Sequence, residues 1–261
     1  LVTIRPLTTF DLILFEKNIT GDFQVSPECT VKPFVRINYT DQSSKAKEVK
    51  ALWCTSLAMR TFFPELVNQF QETMEELLME KIPNEVLSYV SSNSSPFTPL
   101  PGMNINTDPD NFEAIVKVCA SIKKAGYTPN AILLSSVAYA NILTTLGTDG
   151  HYKLQNGSSI VLVGDTIKIG GFNLNIFEDT ELGNDEFIVG DFSKIYVGVY
   201  ENIIYEETNA RTDEETNMKT GLGVNVRVHE LISYFCPILP DATKSAIVKD
   251  TFTNVKTLIK L

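Results

Sequence analysis

Positive charge is what this sequence has too little of: 22 lysines and arginines stand against 32 aspartates and glutamates, a net charge of −10. That balance argues against a protein that grips nucleic acid by neutralising its phosphates. Histidine is nearly absent, with only His151 and His229, so few side chains are available as the base of a catalytic triad. Ser135-Ser136 lacks the flanking glycines of a nucleophile elbow. His229-Glu230 opens like the zinc-protease HExxH, but position 233 is serine and the segment reads as a strand where that motif needs a helix. Gly221 and Gly223 lack the third glycine of a nucleotide fingerprint and precede a strand, so they read as a turn. The four cysteines, Cys29, Cys54, Cys119 and Cys236, lie far apart with no CxxC or Cys/His spacing, and are expected to be free thiols. No apolar run reaches transmembrane length and no basic-then-apolar leader opens the chain, so a soluble protein without an export signal is expected. Its first residue is Leu1 and not Met, as in a trimmed or processed product.

Apolar residues are plentiful. At 261 residues and 43% hydrophobic content the chain can build one large or two modest domains. A mean hydropathy near zero with only 21% charged residues is apolar for a soluble monomer and points to surface buried between subunits.

Thr61 to Ile82 carries the clearest pattern. Phe63, Leu66, Val67, Phe70, Met74, Leu77 and Leu78 recur at helical spacing, with Glu65, Gln69, Glu72, Glu75, Glu76 and Glu80 on the other face. Pro64 suits the first turn of this helix and Pro83 is expected to stop or kink it. With one apolar stripe, the helix should lie across a sheet or another helix. Before it, Phe10–Phe15 and Val31–Tyr39 read as two strands around a long turn, and Lys47–Leu57 as a strand feeding the helix. Ser91–Gly102 is the clearest linker. Asp108 is expected to cap a second helix bearing Phe112, Ile115, Val116, Cys119 and Ile122, ended by Gly126. A buried strand to Leu134, a helix capped by Ser135 or Ser136, and several strands from Ile160 to Tyr205 follow. Glu206–Lys219 reads as a charged loop or hairpin tip. In Gly223–Ser233, Val224, Val226 and Val228 alternate with Asn225, Arg227 and His229, as in a strand with one face covered.

The acidic run Glu178, Asp179, Glu181, Asp185, Glu186 has oxygen ligands suited to calcium but not the EF-hand order, and reads as a solvated hairpin. Glu206, Glu207, Asp213, Glu214 and Glu215 read the same way, with subunit-interface ion pairs as their functional option. Trp53 and the Phe62/Phe63 pair are expected in the core. No catalytic, cofactor or metal site is expected.

The order of these pieces resembles the major capsid proteins of tailed bacteriophages, the Hong Kong 97 phage-type fold. The likeness lies in the hairpin before a long helix, Ser56 to Pro64 in CTSLAMRTFFPEL, AGYTPNAILLSSVAYANIL from Ala125 to Leu143, GHYKL from Gly150 to Leu154, and VGDFSKIYVGVYENIIYEE from Val189 to Glu207. The resemblance implies an α+β fold with an extended β-hairpin arm, a long spine helix in a peripheral domain and a mixed α/β axial domain. Residues 1–46 would form the N-terminal β segment and arm. The peripheral domain would be 47–100 completed by 202–238, and the axial domain 101–201 completed by 239–261. The implied function is that of a non-enzymatic major capsid protein of a phage or prophage. It would self-assemble as pentamers and hexamers of an icosahedral shell around double-stranded DNA, without cofactor or membrane, with scaffolding, portal and protease proteins as partners. Such a subunit is assembled in the host cytoplasm and ends in the virion. Phe23, Lys32, Lys45, Glu206, Glu207, Arg211, Asp213, Glu214 and Arg227 are its candidate subunit-interface residues. An encapsulin-like compartment is the alternative on the same fold. A metal-dependent enzyme using the 178–186 loop and another virion component, such as a decoration or tail protein, are further alternatives.

Overall fold

In the computed structural model, which describes residues 2–20, 36–103, 108–146, 160–179, 181–200, 203–208 and 226–260, the arm is a hairpin. A short strand β1 (Thr3–Pro6) is followed by β2 (Asp11–Thr20) and β3 (Arg36–Lys45). These last two pair antiparallel from Asp11 opposite Lys45 to Thr20 opposite Arg36. The middle of the expected turn and the start of the expected second strand at Val31 lie outside the described residues. Strand β4 (Lys47–Ser56) feeds a short helix α1 (Leu57–Phe62), where the Ser56 hydroxyl accepts a hydrogen bond from Met59 N at 3.1 Å and caps the first turn.

Pro83 does not stop the long helix: α2 runs unbroken from Pro64 to Asn93. A proline inside a helix removes one backbone hydrogen bond. Offsetting that loss, the turns around it bury Leu78, Ile82, Val86 and Val90, and each such side chain contributes roughly 1.5–3 kcal/mol.

Helix α3 (Asn111–Lys124) is capped by Asp110 and not by Asp108; Asp110 Oδ1 accepts from Glu113 N at 2.8 Å. Asp110 and Glu113 have the spacing of a capping box. Gly126 takes φ +93° just past the helix, a backbone that favours glycine. Strand β5 (Ala131–Leu134) is wholly buried, and Ser135 caps α4 (Ser136–Leu143) by accepting from Ala138 N at 3.1 Å. Strands β6 (Ile160–Val163), β7 (Thr166–Ile169), β8 (Phe172–Glu178) and β9 (Glu186–Gly190) follow. The expected acidic hairpin between the last two is a crossover instead: β8 and β9 do not pair with each other but flank β5, parallel and antiparallel respectively.

Beyond Gly190 come β10 (Tyr196–Val199), β11 (Ile204–Thr208), β12 (Val226–Ile238), β13 (Ile247–Thr251) and α5 (Phe252–Leu258). Glu206 and Glu207 therefore belong to a strand and not to a charged loop, while 209–225 lie outside the described residues.

Two compact units result. One comprises Ile4–Tyr89 and Val197–Ile238. Its sheet centres on β12, which pairs with β4 along one edge, from Val226 opposite Ser56 to Phe235 opposite Lys47, and with β11 along the other. Strand β10 also joins β12, and β1 joins β10. A Cβ at Gly198 would lie 2.5 Å from Leu7 Cδ1, so glycine there admits Leu7 and, beside it, the hairpin residue Leu12. The second unit comprises Leu1–Thr3, Val90–Tyr196 and Leu239–Leu261, with a six-stranded sheet in the order β13-β9-β5-β8-β7-β6. Its core joins Phe112, Ile115, Val118 and Ile122 of α3 to Ile132, Leu174, Phe187 and Phe252. Burial there pushes the Cys119 thiol up to about 12, which leaves it unreactive at neutral pH. Cys54, Cys119 and Cys236 are free thiols.

Candidate assembly interface

Unit Ile4–Tyr89/Val197–Ile238 exposes two apolar surfaces. The first is one face of the hairpin. Along Leu12-Ile13-Leu14-Phe15 both faces of the strand are apolar. Leu12 and Leu14 are buried, whereas Ile13 is 50% and Phe15 72% exposed. Ile37 and Tyr39 of β3 share the parity of this exposed face, because Phe15 stands opposite Asp41 and Ile13 opposite Ser43. Both are exposed, Tyr39 by 66%.

The second surface is on α2. At about 100° per residue, Leu66, Phe70 and Leu77 fall within roughly 40° of arc, and all three are exposed. Phe62 and Phe63, expected in the core, are 74% and 60% exposed at the start of this stripe. The apolar residues of this helix thus serve two directions. Val67, Met74, Leu78 and Ile82 are at least half-buried, and the stripe beside them is left partly open to solvent.

A charged edge adjoins the sheet. Arg227 Nη1 donates to Glu207 Oε2 at 2.7 Å. Tyr205 Oη donates to Glu207 Oε1 at 2.7 Å and lies 2.6 Å from His229 Nδ1. Thr55 Oγ1 lies 2.6 Å from His229 Nε2, and the Trp53 ring stacks on the imidazole. The Tyr205 hydrogen bond, followed by Arg227 and His229, holds the Glu207 carboxyl below the usual carboxylate range against the cost of its burial. Burial, with help from Glu207, raises the Tyr205 phenol. His229, expected on the open polar face of β12, is buried, as is Val228 beside it, because Trp53 and Tyr205 from the flanking strands cover the imidazole.

Of the candidate interface residues, the structure brings Glu207 and Arg227 together. Glu206 is exposed opposite Glu230, and Lys45 is exposed at the hairpin base opposite Asp11. Phe23, Lys32, Arg211, Asp213 and Glu214 lie outside the described residues. Sequence reasoning missed Ile13, Phe15, Ile37 and Tyr39. The signal available was the run Leu12-Ile13-Leu14-Phe15, along which neither face of the strand is polar.

The acidic run does not converge. Asp179 accepts from Glu181 N, Asp185 from Thr253 N, and Glu186 pairs with Lys249 at 3.4 Å. Among the described residues no group of three or more His, Cys, Asp or Glu is placed to hold a metal ion. No described helix is long and apolar enough to cross a membrane.

The chain's backbone superposes on solved structures. One from Mycobacterium phage Bobi superposes with a TM-score of 0.66 at 16% identity, covering 95% of this chain and 87% of that one. This is the tailed-phage major capsid fold. A structure from Mycobacterium phage Adephagia has a TM-score of 0.64 at 16% identity, over 91% of this chain and 81% of the other. The capsid of an empty GTA particle gives 0.63 at 9% identity, over 95% and 86%. No protein-family model and no curated protein matches the sequence. The fold is thus shared with these structures at 9–16% identity.

Proposed function

We propose that this chain is the major capsid protein of a tailed phage or prophage, a structural subunit that assembles into pentamers and hexamers of an icosahedral shell around double-stranded DNA. The observation that carries the reading is the capsid fold bearing two exposed apolar surfaces in one unit. A hairpin is marginal by itself, and a subunit that exposes Phe15 and Tyr39 on one element and Leu66 and Phe70 on another has the makings of a heterologous contact. In such a contact the arm of one copy lies across the next copy, and repetition closes a ring. Capsid-fold neighbours, among them the GTA capsid, support self-assembly as the role.

In this reading the unit with α2 and β12 is the peripheral domain and the unit with the six-stranded sheet is the axial domain. The arm spans roughly 10–45. Lys45, Glu206, Glu207 and Arg227, with Phe23, Lys32, Arg211, Asp213 and Glu214 of the segments around them, lie at contacts between copies. The net charge of −10 suits a container that does not hold its packed polyanion tightly. The shell forms in the host cytoplasm, with scaffolding, portal and protease proteins as partners, and ends as part of the virion. The subunit performs no catalysis.

Negative-stain electron microscopy with sedimentation of the purified chain tests this. Rings of five or six subunits or closed shells are the expected result, with nucleic acid inside shells recovered from cells. A folded chain that stays monomeric at high concentration would sink the proposal, and shells filled with an enzyme would replace it with a compartment.

A further inference from the structure

Across β4, β12 and β11 runs a hydrogen-bonded chain with a definite direction. Tyr205 Oη donates to Glu207 Oε1, so its oxygen accepts from Nδ1–H of His229. That leaves Nε2 to accept from the Thr55 hydroxyl. Arg227 grips the other carboxylate oxygen. The neutral ring, protonated on Nδ1, has both nitrogens satisfied while it is only 1% exposed. A second proton can go only to Nε2. There it faces the hydroxyl hydrogen of Thr55, which must rotate away so that its oxygen accepts.

Charged and titratable groups reach this ring from every packed element. They are Arg227 on β12 itself, Glu207 and Tyr205 on β11, and Arg60 on α1. Glu75 on α2 acts at Tyr205, and β4 contributes the uncharged Thr55 and Trp53. Arg60 Nε is buried and makes no hydrogen bond among the described residues. Burial lowers the imidazole from its ordinary 6.5; Glu207 opposes this, and Arg227 and Arg60 add to it.

We propose that His229 is a proton-operated switch on the Glu207–Arg227 pair. Neutral, it positions through Tyr205 the carboxylate that Arg227 holds. Protonated, it is a second cation 3.3 Å from Glu207 Oε1, competing with Arg227 and loosening the β11 edge. Resting on the capsid reading, in which this edge is a subunit contact, acid then weakens assembly. The folded chain resists protonation where the unfolded chain accepts it. Stability is therefore complete above the unfolded value of 6.5 and falls as pH drops through the lower folded value. Loss of the Glu207 charge belongs to a lower window, below its ordinary 4.5.

The chain carries a single tryptophan, Trp53, whose ring lies 5.2 Å from that of His229 at an interplanar angle of 10°. Protonated imidazole quenches indole emission. Titrating the chain downward from neutral pH is expected to quench Trp53 through one inflection below pH 6.5. His229→Gln should abolish the inflection and His151→Gln should leave it. If His229→Gln fails to fold, two other variants decide. Glu207→Gln moves the inflection to lower pH and Arg227→Gln to higher pH, since they remove opposite charges. Flat emission from the folded chain, or shifts of the same sign, would overturn the switch. Sedimentation over the same range should show assembled material dissociating with the inflection in the native chain and persisting in His229→Gln. Quenching with assembly unchanged would refute the link to contacts. A chain that never assembles would refute the capsid reading, and the fluorescence would still decide the switch.

Discussion

Helices α2 and α3 both carry apolar residues at helical spacing and meet different fates. In α3 the apolar face is spent within the chain: Phe112, Ile115, Val118 and Ile122 are buried against the six-stranded sheet. In α2 only part of the apolar surface is covered. Leu78 and Ile82 are buried, while Leu66, Phe70 and Leu77, a short arc away, face outward beside Phe62 and Phe63. An apolar stripe states that a surface will leave water. It does not state whether the cover comes from the same chain or from another copy.

The largest effect should follow from Phe70→Glu combined with Leu66→Glu. In the proposed shell each contact repeats in every subunit, so assembly measured by sedimentation and microscopy should be lost. The unfolding free energy of the chain should move by no more than about 1 kcal/mol, as for two surface substitutions. A loss of stability of core size would break the contrast. Ile122→Ala in α3 should do the reverse, costing about 2–5 kcal/mol in denaturant unfolding and impairing assembly only through the unfolded fraction. If it behaved like the α2 variant, the covered face of α3 would have been misjudged. Asp110→Ala should cost about 1 kcal/mol by removing the cap on Glu113 N, and Asp108→Ala less, which sharpens the cap position. Smallest of all, a thiol reagent under native conditions should modify exposed Cys54 and leave Cys119 untouched, since its raised pKa and burial deny it a thiolate.

Much of the architecture was legible. The strand at Ala131–Leu134, the Ser135 cap and the strands from Ile160 to Gly190 follow from turn residues and apolar runs that act over a few positions. Pro83 reads as a helix end because a proline's cost is local, whereas the burial of Val86 and Val90 on the far side of it is fixed only by tertiary packing. Asp108 misled because two aspartates flank Pro109 and only one is followed three residues later by Glu113. For the interface, Glu207 and Arg227 could be picked out as charges, but not as partners. They are twenty residues apart, and only the β11–β12 register joins them. Phe62 and Phe63 read as core residues because bulk and apolarity are all that a sequence displays. Their exposure, 74% and 60%, is a property of the folded chain.

The sequence by itself determined most of the elements, their order and the surplus of apolar surface, because helical and strand periodicity are local properties of neighbouring residues. Tertiary structure alone decided which apolar face stays open and which histidine is sealed among Trp53, Tyr205 and Thr55. Burial and pairing are relations between residues far apart in the chain, fixed only when the strands take their register.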